Sequence, residues 1–373
     1  MTAPAGDFTL GVEEEYQIVH PQTRALRPRA ERLLPQAQQT LGEDAQPELY
    51  RAQIEMATPV CDTLADLRAA LVRGRQAILQ AAAQDGHRIA AAGTHPFSRP
   101  EQQQVTPKER YTDIAATYQA LARELIIFGC HVHVGLADRD VALAVLNRVR
   151  VWLAPLLALS ASSPFWQGVD TGYASYRTEL WGRWPLAGPP GLFASHADYE
   201  ALVQALVATG SIADATKIYW DVRLPVKVPT VEVRVTDVCT TVDEAVLVAG
   251  LTRALAQTCA AEAQRGVGFP AARPELLRAA HWRAARYGLE GDLIDVAAER
   301  AVPAHDLVQT LLVFVRPCLE ERGEWAEIWA LAQQTLRSGT GAARQRAAYR
   351  RAGRWDDVVD LIVAETAQGV VAL

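Results

Sequence analysis

A chain of 373 residues that is 50% hydrophobic and 21% charged can bury a sizeable core, which excludes a disordered polypeptide. Its net charge of -6, with no dense run of Lys or Arg, excludes nucleic acid as an electrostatic partner. Five cysteines, an odd number without CxxC spacing, speak against a disulfide scaffold and for a reducing compartment in which each is a small buried residue.

Met1–Asp7 lacks the basic start and apolar run of a signal peptide, so a cytoplasmic location is expected. Residues 8–19 and 48–58 alternate apolar and polar side chains and read as strands, the second bracketed by Pro47 and Pro59. A helix starts at about Thr63, where Thr63-Leu-Ala-Asp66 has capping-box spacing, and stops at Asp85-Gly86. Residues 88–93 form a short strand leading into Thr94-His95-Pro96-Phe97, and the polar stretch 98–109 reads as a mobile loop. A strand over 130–135 precedes a helix from about Asp138 to Ser160. The most apolar window, 151–166, contains Pro155 and several serines and falls short of a bilayer span, so no membrane partner is expected.

Residues 160–190 are rich in Trp, Gly, Ser, Tyr and Pro with little periodicity, and long irregular segments of this kind are often functional. Ser195-His-Ala-Asp198 caps a helix running to Gly210, after which 217–224 and 230–237 read as strands paired across a turn at 225–229. From Thr241-Val-Asp-Glu244, another capping box, the pattern is helical almost to the end. Breaks fall near Gly266–Pro270, Gly288–Gly291, Pro303 and Gly339–Gly341. There is no internal repeat and no low-complexity linker. The order predicts a single α+β catalytic unit over 1–373, with a helical last third packed on it.

Three strands carry the chemistry, because alternation puts residues two apart on one face. Glu13 and Glu15 share a face, as do His131 and His133, and as do Glu232 and Arg234. Clustered carboxylates suit a hard cation such as Mg2+, and a guanidinium matches the charge of a phosphoryl group. Each pair also has an ordinary alternative: a solvated acidic edge, core histidines, or a cross-strand salt bridge. Glu14 should point away from its neighbours and be structural. Glu55 lies in a buried-looking strand where an unpaired carboxylate is costly, which favours a paired or metal-bound role. Glu48, seven residues earlier, would face away from Glu55 on an unbroken strand and joins it only through a bulge or a later strand start.

An HxH pair also suits zinc, but no third nitrogen or sulfur ligand is obvious nearby, so Mg2+ or Mn2+ is the expected ion. Arg177, Asp221 and Arg223 are as readily structural as substrate contacts, and His20, His281 and His305 read as ordinary surface or helix residues. Cys239 has no obvious activating base beside it. With no Walker A loop or GxGxxG, a nucleotide would be held by cations and arginines.

Eight ordered motifs resemble those of one family. They are Gly11-Val-Glu-Glu-Glu-Tyr16, Glu55-Met-Ala-Thr-Pro59, Ala92-Gly-Thr-His-Pro-Phe97, Gly129-Cys-His-Val-His-Val-Gly135, Ser160-Ala-Ser-Ser-Pro-Phe-Trp166, Asp170-Thr-Gly-Tyr-Ala-Ser175, Trp220-Asp-Val-Arg223 and Pro229-Thr-Val-Glu-Val-Arg-Val235. Across nearly its whole length the chain is similar to the YbdK-type carboxylate–amine ligases, the glutamate–cysteine ligase type 2 family.

The resemblance implies a glutamine synthetase-like catalytic fold, with a curved antiparallel sheet that holds Mg2+ and ATP. It further implies Glu13, Glu15, Glu48, Glu55, His131 and Glu232 as metal ligands, with Arg234 and Arg177 as catalytic arginines. Thr94 and His95 become expected contacts to ATP or substrate, and the residues read above add His133, Asp221 and Arg223 as further candidate contacts. The implied substrates are a small carboxylate and an amine, as with glutamate and cysteine, and a homodimer is compatible with it. One departure is that Leu224-Pro225 follows Arg223 where the family often has Pro-Ser, which puts the adjoining turn's substrate contacts in doubt. The implied reaction is amide formation through an acyl phosphate. A metal-dependent hydrolase using the same acids and histidines is the alternative, and a catalytically silent nucleotide- or amino-acid-binding protein a third reading.

Overall fold

Ten residues of alternating character, β1 (Leu10–Val19), form the spine of the structure, a computed structural model that describes residues 8–370. The segment read above for targeting, Met1–Asp7, lies outside the described residues. In chain order β1 is followed by β2 (Ala45–Pro47), β3 (Gln53–Ala57), β4 (Arg88–Ala90) and β5 (Gly129–Gly135). A small separate hairpin, β6 (Phe165–Trp166) and β7 (Val169–Asp170), precedes β8 (Val222–Arg223) and β9 (Thr230–Asp237). The main sheet is antiparallel, in the order β2-β3-β1-β5-β9-β8, with β4 added beside the end of β1.

Helices pack on this sheet: α1 (Ala30–Leu41), α2 (Leu64–Gln84), α3 (Glu109–Tyr118), α4 (Ala120–Arg123), α5 (Arg139–Val149), α6 (Leu153–Ser160), α7 (Tyr176–Trp181), α8 (His196–Ala208) and α9 (Val242–Gln264). Two of them begin at the expected capping boxes, Thr63 with Asp66 and Thr241 with Glu244, in which each side chain satisfies a backbone N–H at the helix start. The run Arg139–Ser160 is long and apolar enough in composition to cross a bilayer, with mean hydropathy 1.6, which the sequence reading did not expect. Of that window 83% is buried inside the protein, as in a core helix. Pro155 is accommodated in the first turn of α6, where its missing N–H is not needed.

One face of β1 presents Leu10, Val12, Tyr16 and Ile18 to the core, each at most 1% exposed. Glu14 shares that buried face, and Arg75 of α2 answers it with Nη2 2.5 Å from Oε1. The same guanidinium donates to the carbonyls of Thr240 and Cys239, both at 2.8 Å, which ties α2 to the exit of β9. Gly74 allows α2 this close approach: a Cβ there would lie 2.6 Å from the sulfur of Met56 on β3. The opposite face of the sheet carries Glu13, Glu15 and their partners.

Several elements differ from the sequence reading. The second strand begins at Gln53 rather than Glu48, because β2 ends at Pro47 and residues 48–52 turn between two short strands. Residues 98–109 are anchored by backbone bonds from Arg51 to Gln104 and from Thr106 to Leu49. The expected strand over 217–224 shrinks to two residues, since the carbonyls of Thr216 and Ile218 are taken by the Arg223 side chain. Helix α1 was not foreseen at all.

The last third is helical, as expected, in α10 (Pro274–Tyr287), α11 (Ala304–Glu321), α12 (Trp325–Ser338), α13 (Gly341–Ala352) and α14 (Trp355–Thr366). One unforeseen hairpin, β10 (Asp292–Asp295) and β11 (Arg300–Pro303), interrupts it, turned by a hydrogen bond from the Ala298 N–H to the Asp295 carboxylate. These helices hold the aromatic segment in place. Arg346 makes a two-pronged ion pair with Asp170, and Gln345 donates to the Ser162 carbonyl at 2.7 Å.

Candidate functional site

Strand register brings the acids together. Glu15 stands opposite Glu55 across β1 and β3, Glu13 opposite His131 across β1 and β5, and His133 opposite Glu232 across β5 and β9. Arg223 of β8 stands opposite Glu232 in turn. One extra residue of β9 is absorbed between Cys130 and Val132 of β5, a bulge beside Arg234.

Two groups result, in each of which one ligand atom per residue lies within 4.8 Å of the others. The first is Glu15, Glu48 and Glu55. The second is Glu13, His133 and Glu232. Glu48 reaches its group because the chain breaks after Pro47, so the facing problem of an unbroken strand does not arise. His133, expected at ATP or substrate, sits in the second group, while His131 bonds Glu13 with Nδ1 3.0 Å from Oε2 and is not in either triad.

The electrostatics differ between the groups. Burial, reinforced by the charge of Glu48, pushes the Glu15 carboxyl up to about 8. Burial raises Glu48 and Glu55 as well, and for Glu55 the charges of Glu13, Glu48 and Glu15 add to it. Glu13 moves the other way: burial opposes ionisation, but hydrogen bonds from His131 and His133 outweigh it and hold the carboxyl well below its usual range. Glu232, buried but flanked by Arg234 and Arg223, is likewise held low. Burial depresses His131 to about 4. Against burial, the hydrogen bond to Glu13 and the charge of Glu232 raise His133, so the imidazole of the second group has to give up a proton to ligate a cation, and oxygen donors in excess suit Mg2+ or Mn2+.

Arginines frame the acids. Arg223 grips Glu232 in a bidentate pair, at 2.7 and 3.1 Å, and Arg234 bonds the same carboxylate. Arg177 enters from α7, its backbone N–H held by Ser163 Oγ at 3.1 Å and its Nη2 reaching the Arg234 carbonyl. The Arg177 Nε is buried without a partner among the described residues. Gly129 gives this guanidinium its space, since a Cβ there would collide with it.

Glu13, Glu15, Glu48, Glu55, His131 and the three arginines line a cleft of about 210 Å3, roofed by Trp181, Trp184, Tyr219 and Tyr111, while His133 and Glu232 are not among its lining residues. Trp181 and Trp184 stack at 5.6 Å, and Tyr219 meets both edge-on. The sheet face that carries the acids is therefore covered. Tyr111 donates to the Pro47 carbonyl at 2.8 Å and approaches Glu48 at 3.4 Å.

Other sequence candidates stand elsewhere. Thr94 and His95 do not line the cleft: Thr94 donates to the Phe165 carbonyl, and His95 bridges the Arg24 carbonyl and the Phe97 and Ser98 N–H groups. Asp221 is outside the cleft too, paired with His281, which lies on a helix, one of the two expected settings, and is buried there. Arg110, Tyr111 and Tyr219 line the cleft and were missed. Arg110 and Tyr111 adjoin the loop read as mobile, while Tyr219 next to Trp220-Asp221 was a legible signal. All five cysteines are buried and free, as expected.

The comparisons place this architecture. The fold is the α+β arrangement expected, and it is shared with the crystal structure of a glutamate–cysteine ligase from Francisella tularensis in complex with AMP. That match has a TM-score of 0.70 at 14% identity and covers 98% of this chain and 91% of that one. A ligase of prokaryotic ubiquitin-like protein, solved in complex with it, matches with a TM-score of 0.51 at 14% identity, covering 98% of this chain and 70% of that one.

Sequence comparison narrows the class. The profile of glutamate-cysteine ligase family 2 matches residues 9–365, and the chain belongs to that family. A Rhodopirellula baltica protein named "Putative glutamate--cysteine ligase 2" is 44% identical over 97% of this chain and 98% of its own length. A Herpetosiphon aurantiacus protein of the same name is 40% identical over 98% and 95%.

Proposed function

We propose that the protein is an ATP-dependent ligase that joins a small carboxylate to an amine through an acyl phosphate, releasing ADP and phosphate. The observation that carries this reading is the cluster of Glu13, Glu15, Glu48 and Glu55 lining one cleft with Arg177, Arg223 and Arg234, Glu13 being grouped in turn with His133 and Glu232. Family membership and the names of the relatives support glutamate as the acid and cysteine as the amine.

The two groups would hold Mg2+ or Mn2+, and His131 would orient Glu13 from the side. Bound there, such ions neutralise a triphosphate and polarise its γ-phosphoryl group. Arg234 and Arg177 stabilise charge on the phosphoryl oxygens in transit, a role suited to planar, always-charged donors. The substrate carboxylate forms a bond to the γ-phosphorus as the bond to ADP breaks. The amine nitrogen then attacks the acyl carbon, loses its proton, and phosphate leaves. Trp181, Trp184 and Tyr219 exclude water that would hydrolyse the activated acid.

The test is ADP release by the full chain, screened over carboxylates and amines with Mg2+ present. Turnover requiring both an acid and an amine is expected, whereas hydrolysis of an amide or phosphoester without ATP would replace this reading with a hydrolase. Glu232→Gln and Arg234→Ala should each lower turnover by at least two orders of magnitude, as loss of a transition-state charge contact does (roughly 3–4 kcal/mol). Circular dichroism should show an unchanged fold, and wild-type rates in both variants would remove these residues from the site.

A further inference from the structure

Behind Trp181, away from the carboxylates of the sheet, α7 and α10 border a second cavity of about 640 Å3, larger than the cleft itself. A buried pair lies against it: Asp221 and His281, with Oδ2 and Nδ1 3.0 Å apart. Among the described residues the other ring nitrogen of His281, Nε2, is buried and has no hydrogen-bond partner. On a cavity wall such a nitrogen is free to bond an occupant.

The cavity wall carries a half-buried carboxylate, Glu179, and at its solvent-exposed rim Glu275 and Arg278. Glu179 and Glu275 line it, and neither has an ion pair or side-chain hydrogen bond among the described residues. Burial raises the Glu179 carboxyl above its ordinary range with no cation offsetting it. Arg278, one turn beyond Glu275 on α10, also lacks a partner. The remaining wall cation, Arg183, is committed to Glu124 at 2.6 Å. Trp181 and Trp282 add indole surface.

Two free carboxylates, one free guanidinium and aromatic walls are the complement of a small zwitterion. We propose that this cavity binds a free α-amino acid, with its ammonium group against Glu179 and Glu275 and its carboxylate against Arg278. The occupant is coupled to the cleft by two contacts. Trp181 lines both spaces, with the Arg234 guanidinium 6.0 Å from its ring centre. The Arg234 N–H donates to the Asp221 carbonyl at 2.8 Å. An amino acid here acts on the strand that carries Glu232 and Arg234, either as the amine co-substrate on its way in or as a regulator that is not consumed. That choice between roles rests on the ligase reading; the binding does not.

The experiment titrates the full chain with each of the common L-amino acids by tryptophan fluorescence, without nucleotide or metal, and repeats it on Arg278→Glu and Glu179→Gln. Thermal melts verify that both variants fold. At least one amino acid should bind saturably to the wild type and about tenfold or more weakly to Arg278→Glu, the loss of one charge-assisted contact. No saturable binding, or binding that both variants leave unaltered, overturns the proposal. ADP-release assays then separate the roles: consumption of the bound amino acid makes it the co-substrate, and a changed rate without consumption makes it a regulator. A bound amino acid that does neither overturns the coupling through Trp181. Absence of ADP release with any acid–amine pair defeats the ligase reading while leaving the binding result standing.

Discussion

A carboxylate buried among other carboxylates is harder to ionise, and Glu15, Glu48 and Glu55 are all raised in this way. His95 shows the reverse case, an imidazole that burial holds at about 4, so that it stays neutral while the unfolded chain protonates near 6.5. The unfolded state therefore binds the extra proton as pH falls. The stability from His95 is complete above about 6.5 and is lost towards 4, on the order of 3 kcal/mol in all. Its ring-proton resonances should not shift between pH 7.5 and 5; titration near 6.5 would show that the imidazole is not sequestered. At this scale the sequence was informative wherever alternation decides facing. Glu13, Glu15, Glu232 and Arg234 fall where a period of two puts them. His95 did not, because a motif residue that binds backbone looks the same in sequence as one that binds ligand.

Between β1 and α2 the pairing of Glu14 with Arg75 is fully buried, and it ties the sheet to the capped start of α9 through the carbonyls of Cys239 and Thr240. Arg75→Met should cost about 3–5 kcal/mol in chemical denaturation, because it strands a carboxylate in the core. Combining it with Glu14→Leu should recover much of that loss, and equal instability of single and double variants would show that the pair is not coupled. Helices with capping boxes were legible, since a cap is a local signal. Helix α1 was not, although Ala30, Leu33, Leu34 and Ala37 form its buried stripe at helical spacing. Pro35 within the helix disguised that stripe as a break. The β10–β11 hairpin was hidden for the opposite reason: four-residue strands in a helical context give no period long enough to read.

The whole molecule places acids from residues 13 to 232 on one sheet and lets a helical layer hold the covering segment against it. On the proposed reading, Mg2+ relieves repulsion that the folded state alone sustains, so it should raise the melting temperature and chelation should reverse the rise. Ligand at a hundred times its dissociation constant stabilises by about 2.7 kcal/mol. Glu55→Gln should reduce the increment, and an unchanged melting curve with Mg2+ would count against the two acid groups as an ion site. The α+β class and the helical last third were legible from element order. The aromatic segment that carries Trp181 and Trp184 was legible as a functional one, but its meeting with Tyr219 was not, because these rings join through tertiary packing and share no periodicity.

Because β1 sits between β3 and β5, the chain's first strand is complete as a scaffold only after later ones arrive. Glu15, Glu48 and Glu55 all lie in the first sixth of the polypeptide, whereas Glu13 is grouped with His133 and Glu232 from later strands. A nascent chain emerging from a ribosome would thus gain its acidic pockets in sequence, and the second would become available only once β9 had docked.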